Sequence, residues 1–506
     1  MATASSARPA PASRHGGSAL RAAAARFAPA VVTSAVVAAV LYLLYAPWFL
    51  NYDARYALLW AHDLAQGFAP EYEADFAPTP HPLQTAFGLL ALPFGDASDN
   101  VLVAAVLLSF GALVFLAFRL GSELFSPWVG AVAALVVLTR PALERDALLA
   151  YQDVPFAALV VGAVLLEARR PRRGVAVLVL LAVAGLLRPE AWVLSGLYVL
   201  WLCNGRLESS RGLTAQLALA AAAPVIWAGS DWLVTGDPLH SLHGTADLAI
   251  ANDRRRTIGD VPYWTAQYFG YALREPLVIG VPIGLAFAFF HARRRSLLPL
   301  AVVAAMVAVF AVGPLFGLPL IRRYIGTPAV LLTLFYGLAV CGWTLLPPGR
   351  SRRRWMAAGL VAAVLSVAYL PWHARMLSGI ERRLDLDGVL YGDLQQVAQA
   401  PAVRAAFAAC PDLTAGDHRP MPYARSWLEG APGTVSTVEA GASPMGRMLL
   451  MPVKGPSTRR IYPPGIYPEV ATPSGWRTVY ENRSWRVSAA PACATTTRAS
   501  TSSASP

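Results

Sequence analysis

Two short motifs set an aspartate where an apolar segment meets a loop: "NYDARY" carries Asp53 and "YQDVPF" carries Asp153. A carboxylate at such an edge can take a proton from a hydroxyl, the work of a general base. Arginines recur at comparable edges. Arg55 follows Asp53, Arg188 stands beside Glu190 in "LLRPEAW", and Arg322 and Arg323 precede Tyr324 in "LPLIRRYIGTP". Guanidinium groups form forked, charge-assisted bonds to phosphate. His81 opens "HPLQTAFGLLALPFG", and Asp237 and His240 lie in "TGDPLHSLHG". Together these residues suit a substrate whose apolar tail lies in a bilayer and whose phosphate head reaches its surface. One carboxylate would act on an acceptor hydroxyl while the arginines stabilise a departing lipid phosphate.

Each residue also has a plainer reading. Asp153 precedes a proline and an apolar run, so its charge would complement a helix dipole. Asp53 has no such helix to cap. The arginines could snorkel, or pair with Glu190 and nearby acids. His240 and His243 have the spacing of a helical metal pair, but no third ligand stands at a fixed distance along the chain. His62 and Asp63, nine and ten residues after Asp53, are expected on the polar face of an amphipathic helix. The chain has no Walker loop, dinucleotide fingerprint or GxSxG elbow.

The elements that must position these residues are set by composition. Of 506 residues, 56% are hydrophobic and 14% charged, with a mean hydropathy of +0.46. A soluble domain carries about a quarter charged residues, so this is a polytopic membrane protein. The net charge of +12 falls in short blocks between apolar runs, which marks cytoplasmic loops and argues against a nucleic-acid partner. Apolar segments fall near 29–50, 100–118, 127–139, 154–168, 174–187, 190–203, 213–233, 276–291, 297–313, 326–346 and 355–371. Reading them as eleven spans with the N-terminus inside puts Arg119, "ARRPRRG", "NGRLESSRG", "HARRRS" and "PPGRSRRRW" on the cytoplasmic side. The stretch Leu83 to Phe94 is too short to span and reads as a half-embedded or re-entrant helix.

The expected architecture is therefore an all-α membrane unit over residues 29–371, with extracytoplasmic loops 51–99, 140–153 and 234–275. Residues 1–28 read as a disordered cytoplasmic tail and 494–506 as a second disordered tail. Between 372 and 493 the pattern changes to Pro-Gly turns and alternating segments such as "RMLLMPV" and "WRTVYENRSWRV", the signature of an extracytoplasmic soluble α/β domain. Cys410 and Cys493 lie near its ends, where an oxidising exterior would allow a disulfide; two buried thiols are the alternative. Cys203 and Cys341 are too isolated for a metal site.

In their order, "NYDARY", "HPLQTAFGLLALPFG", "YQDVPFAALV", "GLLRPEAW", "GDPLHSLHG" and "RRYIGTPAVLL" resemble the GT-C superfamily of membrane glycosyltransferases. That superfamily includes protein O-mannosyltransferases, aminoarabinose transferases and oligosaccharyltransferases, and the likeness covers roughly residues 29 to 350. It implies a polyprenyl-phosphate-linked sugar donor, Asp53 as base, transfer on the extracytoplasmic side of the plasma membrane, and a C-terminal soluble appendage. The acceptor would be a glycan, lipid or protein. The second loop has no Asp-x-Asp, Asp146 and Asp153 standing seven apart, so a divalent metal is left open and no ligand set is assigned. The Ala-, Arg- and Pro-rich composition resembles that of high-GC actinobacterial proteins, where such enzymes build mannosylated or arabinosylated cell-wall glycans. A transporter or flippase is the rival reading, against which stands the rarity of charges in mid-span. A polymerase of lipid-linked glycans is the other.

Overall fold

The computed structural model describes residues 15–46, 48–204, 210–441, 445–460, 462 and 467–493. The tails expected at 1–14 and 494–506 lie outside these. Helix α1 (His15–Leu44) starts ahead of its apolar run, so residues 15–28, expected as tail, are helical. In the first loop form α2 (Tyr52–Ala65) and α3 (Pro82–Ala91). A 3-10 turn with Gly95 at φ 56° carries α3 into α4 (Ser98–Leu124). The apolar helix thus runs from Pro82 to Leu124, 43 residues, joined where a separate re-entrant helix was expected. The chain continues through α5 (Pro127–Leu138), α6 (Pro141–Leu148), α7 (Asp153–Arg169), α8 (Val175–Gly185), α9 (Glu190–Cys203) and α10 (Ser210–Thr235). Then come α11 (His240–Ala251), α12 (Val261–Leu273), α13 (Leu277–His291), α14 (Arg293–Val312), α15 (Gly326–Cys341) and α16 (Arg350–Gln399).

Each of the apolar segments falls on a helix. Among the described residues six helices are long and apolar enough to cross a membrane, or up to eight if two bent pairs each make one span. The apolar helices α8 and α9 have 11 and 14 residues, short of the ~20 that cross a bilayer core unaided. Helix α15 lies at the centre: 83% of its apolar window is buried, against 11% for α1 and α16, whose apolar outer faces are exposed. Its contact with α13 depends on Gly284, where an added Cβ would stand 1.6 Å from the Phe335 carbonyl oxygen. Small residues at helix crossings allow such backbone approach in membranes. The buried Glu167 is structural: it accepts from Tyr198 at 2.6 Å, Trp201 at 3.1 Å and the Arg172 backbone at 2.7 Å.

Helix α16 is 50 residues long and runs unbroken past residue 372, where a domain boundary was expected. Its far end is buried through Leu390, Leu394 and Val397 in the core of the C-terminal domain. That domain adds α17 (Pro401–Ala409), β1 (Leu413–Ala415), α18 (Met421–Trp427), β2 (Val435–Thr437), β3 (Met448–Pro452), β4 (Arg477–Glu481) and β5 (Trp485–Ala489). The sheet order is β2-β1-β3-β5-β4. Strand β1 pairs parallel with β2 and β3, while β5 pairs antiparallel with β3 and β4. The strands expected at 447–453 and 476–487 therefore form. Cys410 and Cys493 are disulfide-bonded, closing 83 residues of chain, a constraint worth about 4 kcal/mol in the chain-entropy account.

The domain is pinned to the first loop by buried charge. Arg425 in α18, 2% exposed, donates to Asp63 at 2.5 Å and to Glu71 at 3.1 Å. Glu71 also accepts from the Gly433 backbone at 2.9 Å, and Tyr423 donates to the Leu50 carbonyl at 2.9 Å. Asp63 is thus a buried docking residue and not part of a solvated helix face, because an acid there can be desolvated once a guanidinium reaches it. His62 keeps the expected place, in contact with Gln66 one turn on.

Candidate active site

Local chain chemistry brings the first and second loops together. Asn51 caps α2, its Oδ1 accepting from the Ala54 backbone at 3.1 Å. Its side-chain Nδ2 and its backbone N–H both donate to the Leu149 carbonyl, at 2.7 and 2.9 Å. That clasp sets Asp53, in the first turn of α2, beside Asp153, in the first turn of α7. The Arg188-Pro189-Glu190 turn between α8 and α9 and the 3-10 turn Arg322–Ile325 complete the ring.

Arg323 Nη1 lies 2.9 Å from Asp53 Oδ2 and 3.6 Å from Asp153 Oδ2. Arg188 Nη1 donates to Asp153 Oδ1, and its Nη2 donates to Glu190 Oε1 at 2.6 Å. The two guanidiniums are also stacked: Arg188 over Tyr324 at 4.5 Å and Arg323 over Tyr151 at 4.6 Å. Burial would raise the Asp53 carboxyl, but the Arg323 charge and its hydrogen bond, with smaller help from His81 and Arg254, hold it below the ordinary value. Asp53 is therefore ionised at neutral pH. His81 is the reverse case: burial, opposed by Asp53 and aided by Arg188 and Arg323, lowers it to about 3. Its imidazole is neutral, and Nδ1 is buried without a hydrogen-bond partner.

These residues line a cavity of about 1000 Å³. Asp53, His81, Asp153, Arg188, Glu190, Arg323 and Tyr324 all face it. One stretch of wall is apolar, with Trp192, Val193, Trp227, Met306, Phe310 and Phe316; another is built by the C-terminal domain and α16, with Arg383, Asp387, Tyr391, His418 and Arg419. The cavity thus presents both apolar side chains and the charged ring.

Four expected site residues fall elsewhere. Arg55, 3% exposed, pairs with Asp99 and lies over Tyr423 and Trp427 at 5.2 and 5.4 Å, so it braces the domain seam. Arg322 lies over Tyr271 at 4.7 Å and lines a separate small pocket with Arg140 and Asp146. Asp237 accepts from the Leu239 backbone at 2.9 Å and pairs with His243 at 2.6 Å on the exposed start of α11. His240 contacts the Tyr72 carbonyl at 3.3 Å, away from the cavity wall.

No protein-family model and no curated protein matches the chain. Among solved structures, the crystal structure of ArnT from Cupriavidus metallidurans bound to undecaprenyl phosphate matches with a TM-score of 0.56 and 16% identity. The match covers 92% of this chain and 98% of that one. The fold is that of ArnT. Because the match is nearly end to end, the ArnT fold accounts for the membrane helices and the C-terminal domain as one unit. It also agrees with the fold expected from the order of motifs.

Several cavity residues within this ArnT fold were missed by sequence reasoning. Arg254 lines the cavity, is exposed, and makes no ion pair among the described residues. Its signal was available: "DRRR" at 253–256 is a basic run in a loop assigned to the non-basic side. Tyr151, which carries Arg323 on its face, stands two residues before Asp153 with no pattern to mark it. His418 and Arg419 reach the cavity from the C-terminal domain, and nothing local in "GDHRP" announces a partner hundreds of residues away.

Proposed function

We propose that the protein is an integral membrane glycosyltransferase that moves a sugar from a polyprenyl-phosphate donor to an extracytoplasmic glycan, lipid or protein. Mannose or arabinose is the favoured sugar. The observation that carries this reading is the cavity itself, apolar along one wall and closed by Asp53, Asp153, Arg188 and Arg323. A shared fold with a protein crystallised with undecaprenyl phosphate supports a lipid-linked donor. The N-terminus would be cytoplasmic and the C-terminal domain outside, as the distribution of basic loops suggests.

In the reaction, Asp53 takes the proton of the acceptor hydroxyl as its oxygen bonds to the sugar's anomeric carbon. The bond from that carbon to the phosphate oxygen breaks, and the electron pair leaves with the polyprenyl phosphate. Arg188 and Arg323 then donate hydrogen bonds to the phosphate oxygens, their planes held by Tyr324 and Tyr151. Asp153, bonded to Arg188 and 3.6 Å from Arg323, orients both. His81, neutral, adds no charge beside the base.

Charge counting assigns a further role. The ring holds three carboxylates against two guanidiniums, so a phosphate meets a surplus of negative charge. Among the described residues, Arg254 is the cation on the wall that makes no ion pair, and it already acts on Asp53. Arg254→Ala is expected to raise KM for the donor about tenfold, the lower end for a charged hydrogen bond because the residue is exposed. An unchanged KM would remove Arg254 from the donor site.

The pH profile tests the base. Because Arg323 keeps the Asp53 carboxyl low, activity should persist as pH falls toward the ordinary carboxylate range. In Arg323→Gln, burial acts without its main opponent, the Asp53 value rises, and the acidic limb of kcat/KM should move to higher pH. The position of the limb is the readout, whatever the loss in amplitude. A limb that stays put would exclude Asp53 as its source. The function as a whole is tested with membranes and radiolabelled polyprenyl-phosphate sugars. A labelled acceptor is expected, and no labelled product from any such donor would overturn it.

A further inference from the structure

The loop "GDHRP" and Glu439 have no part in the donor ring, yet they converge. Strands β1 and β2 are parallel, with Ala415 opposite Thr437. Two residues beyond each of these, off the carboxyl ends of the strands, stand Asp417 and Glu439. Parallel strands deliver their following loops to one edge, which is where such sheets bind ligands. One donor atom from each of Asp417, His418 and Glu439 lies within 4.8 Å of the others.

Two features go beyond proximity. His418 is held in place: its Nδ1 shares a hydrogen bond with Glu439 Oε2 at 2.6 Å, and its backbone N–H donates to the same oxygen at 2.9 Å. The ring stacks on Phe76 at 4.6 Å and meets Tyr52 edge-on at 5.6 Å. Asp417 is 4% exposed; its Oδ1 accepts from the Arg419 backbone at 2.7 Å, while Oδ2 is buried without a hydrogen-bond partner. Arg419 Nη1 forms an ion pair with that oxygen at 3.6 Å, longer than a hydrogen bond, and the Tyr462 hydroxyl lies beside the same carboxylate. A buried carboxylate oxygen held only by this long ion pair gains from a cation in direct contact.

We propose that Asp417, His418 and Glu439 bind a divalent cation of the zinc or manganese type at the seam between the C-terminal sheet and the first loop. One imidazole and two carboxylates form a mixed nitrogen and oxygen donor set that suits these ions, with no thiolate to favour softer ones. On binding, the contact between His418 and Glu439 gives way to bonds from each to the ion. Three protein donors leave coordination positions for water or a substrate oxygen. His418 is on the cavity wall and touches Tyr52, the neighbour of Asp53. The ion would therefore fix positive charge on the wall contributed by the C-terminal domain, where an oxygen-rich acceptor can use it. The site does not depend on the sugar-transfer reading.

The full-length protein, purified in detergent and stripped with EDTA, is expected to take up one Zn²⁺ or Mn²⁺ per chain in a saturable titration. His418→Ala and Glu439→Gln should each weaken uptake by at least about 10- to 100-fold, the range for disturbing even an outer-shell partner. Glu439→Gln keeps an acceptor for His418, and matching unfolding midpoints of the metal-free proteins separate lost ligation from lost fold. Asp53→Asn should leave uptake unchanged, so a failure of the donor-site chemistry and a failure of this site are distinguishable. X-ray absorption of the loaded protein should report one imidazole among oxygen neighbours. No saturable uptake, equal uptake by both variants, or a shell with several imidazoles or a thiolate would overturn the proposal.

Discussion

Asp53→Asn is expected to lower kcat by about 10²- to 10⁴-fold, the usual contribution of a positioned base. The replacement has the same shape, and Arg323 keeps Asp153 at 3.6 Å and Tyr151 beneath it, so the ring should stay assembled. Removing one of three carboxylates also removes repulsion toward a phosphate. KM for the donor should therefore hold or fall while kcat collapses, the signature of an interaction made in the transition state. Asp153→Asn should behave differently. Asp153 orients both guanidiniums, so its loss should appear as a higher KM for the donor as well as a slower step. Steady-state kinetics on matched protein separate the two. Unchanged turnover in Asp53→Asn would remove Asp53 from the chemistry.

Arg425→Ala is expected to cost about 3–5 kcal/mol, the range for removing one partner of a buried ion pair. Both Arg425 and Asp63 are 2% exposed, so water cannot replace the lost guanidinium without opening the seam. Thermal unfolding and protease release of the C-terminal domain would read the effect. The pH dependence carries a sign. Burial, against the pull of Arg425, already holds the Asp63 and Glu71 carboxyls above their ordinary values. A raised carboxyl means that the folded state binds more protons than the unfolded one, so stability falls as pH rises through that interval. Without Arg425 the carboxyls rise further, and the deficit should narrow as pH falls below about 4, where the unfolded carboxyls take up protons too. A deficit independent of pH would mean that packing, not charge, holds the seam.

Much of this architecture was legible in the sequence because membrane helices announce themselves by long apolar runs and basic flanks. The β4–β5 hairpin was legible too, since "WRTVYENRSWRV" alternates around a turn. Asp53, Asp153, Arg188, Glu190 and Arg323 could be nominated because charged residues at a lipid boundary are costly and rarely idle. The same rule nominated residues that lie off the cavity wall. Asp237 sits at a loop edge like Asp53, but it spends its oxygens on the Leu239 backbone and on His243. Arg55 lies two residues from Asp53, which on a helix points it to another side, toward Asp99 and Trp427. Residues supplied by the C-terminal domain stayed hidden for a different reason. The bonds that bring Tyr423 to Leu50 and Arg425 to Asp63 join positions 373 and 362 residues apart, and no local pattern encodes such a pairing.

The 50-residue helix α16 begins on one face of the membrane unit and ends inside the C-terminal domain. At 1.5 Å per residue it is about 75 Å long, more than twice a hydrocarbon core of about 30 Å. Its lower half shows Leu360, Val364, Leu365 and Val367 to lipid, and its upper half lends Arg383, Asp387 and Tyr391 to the cavity. One covalent element therefore joins the apolar unit to the cavity wall, with Pro371 the point along it where a bend would be absorbed.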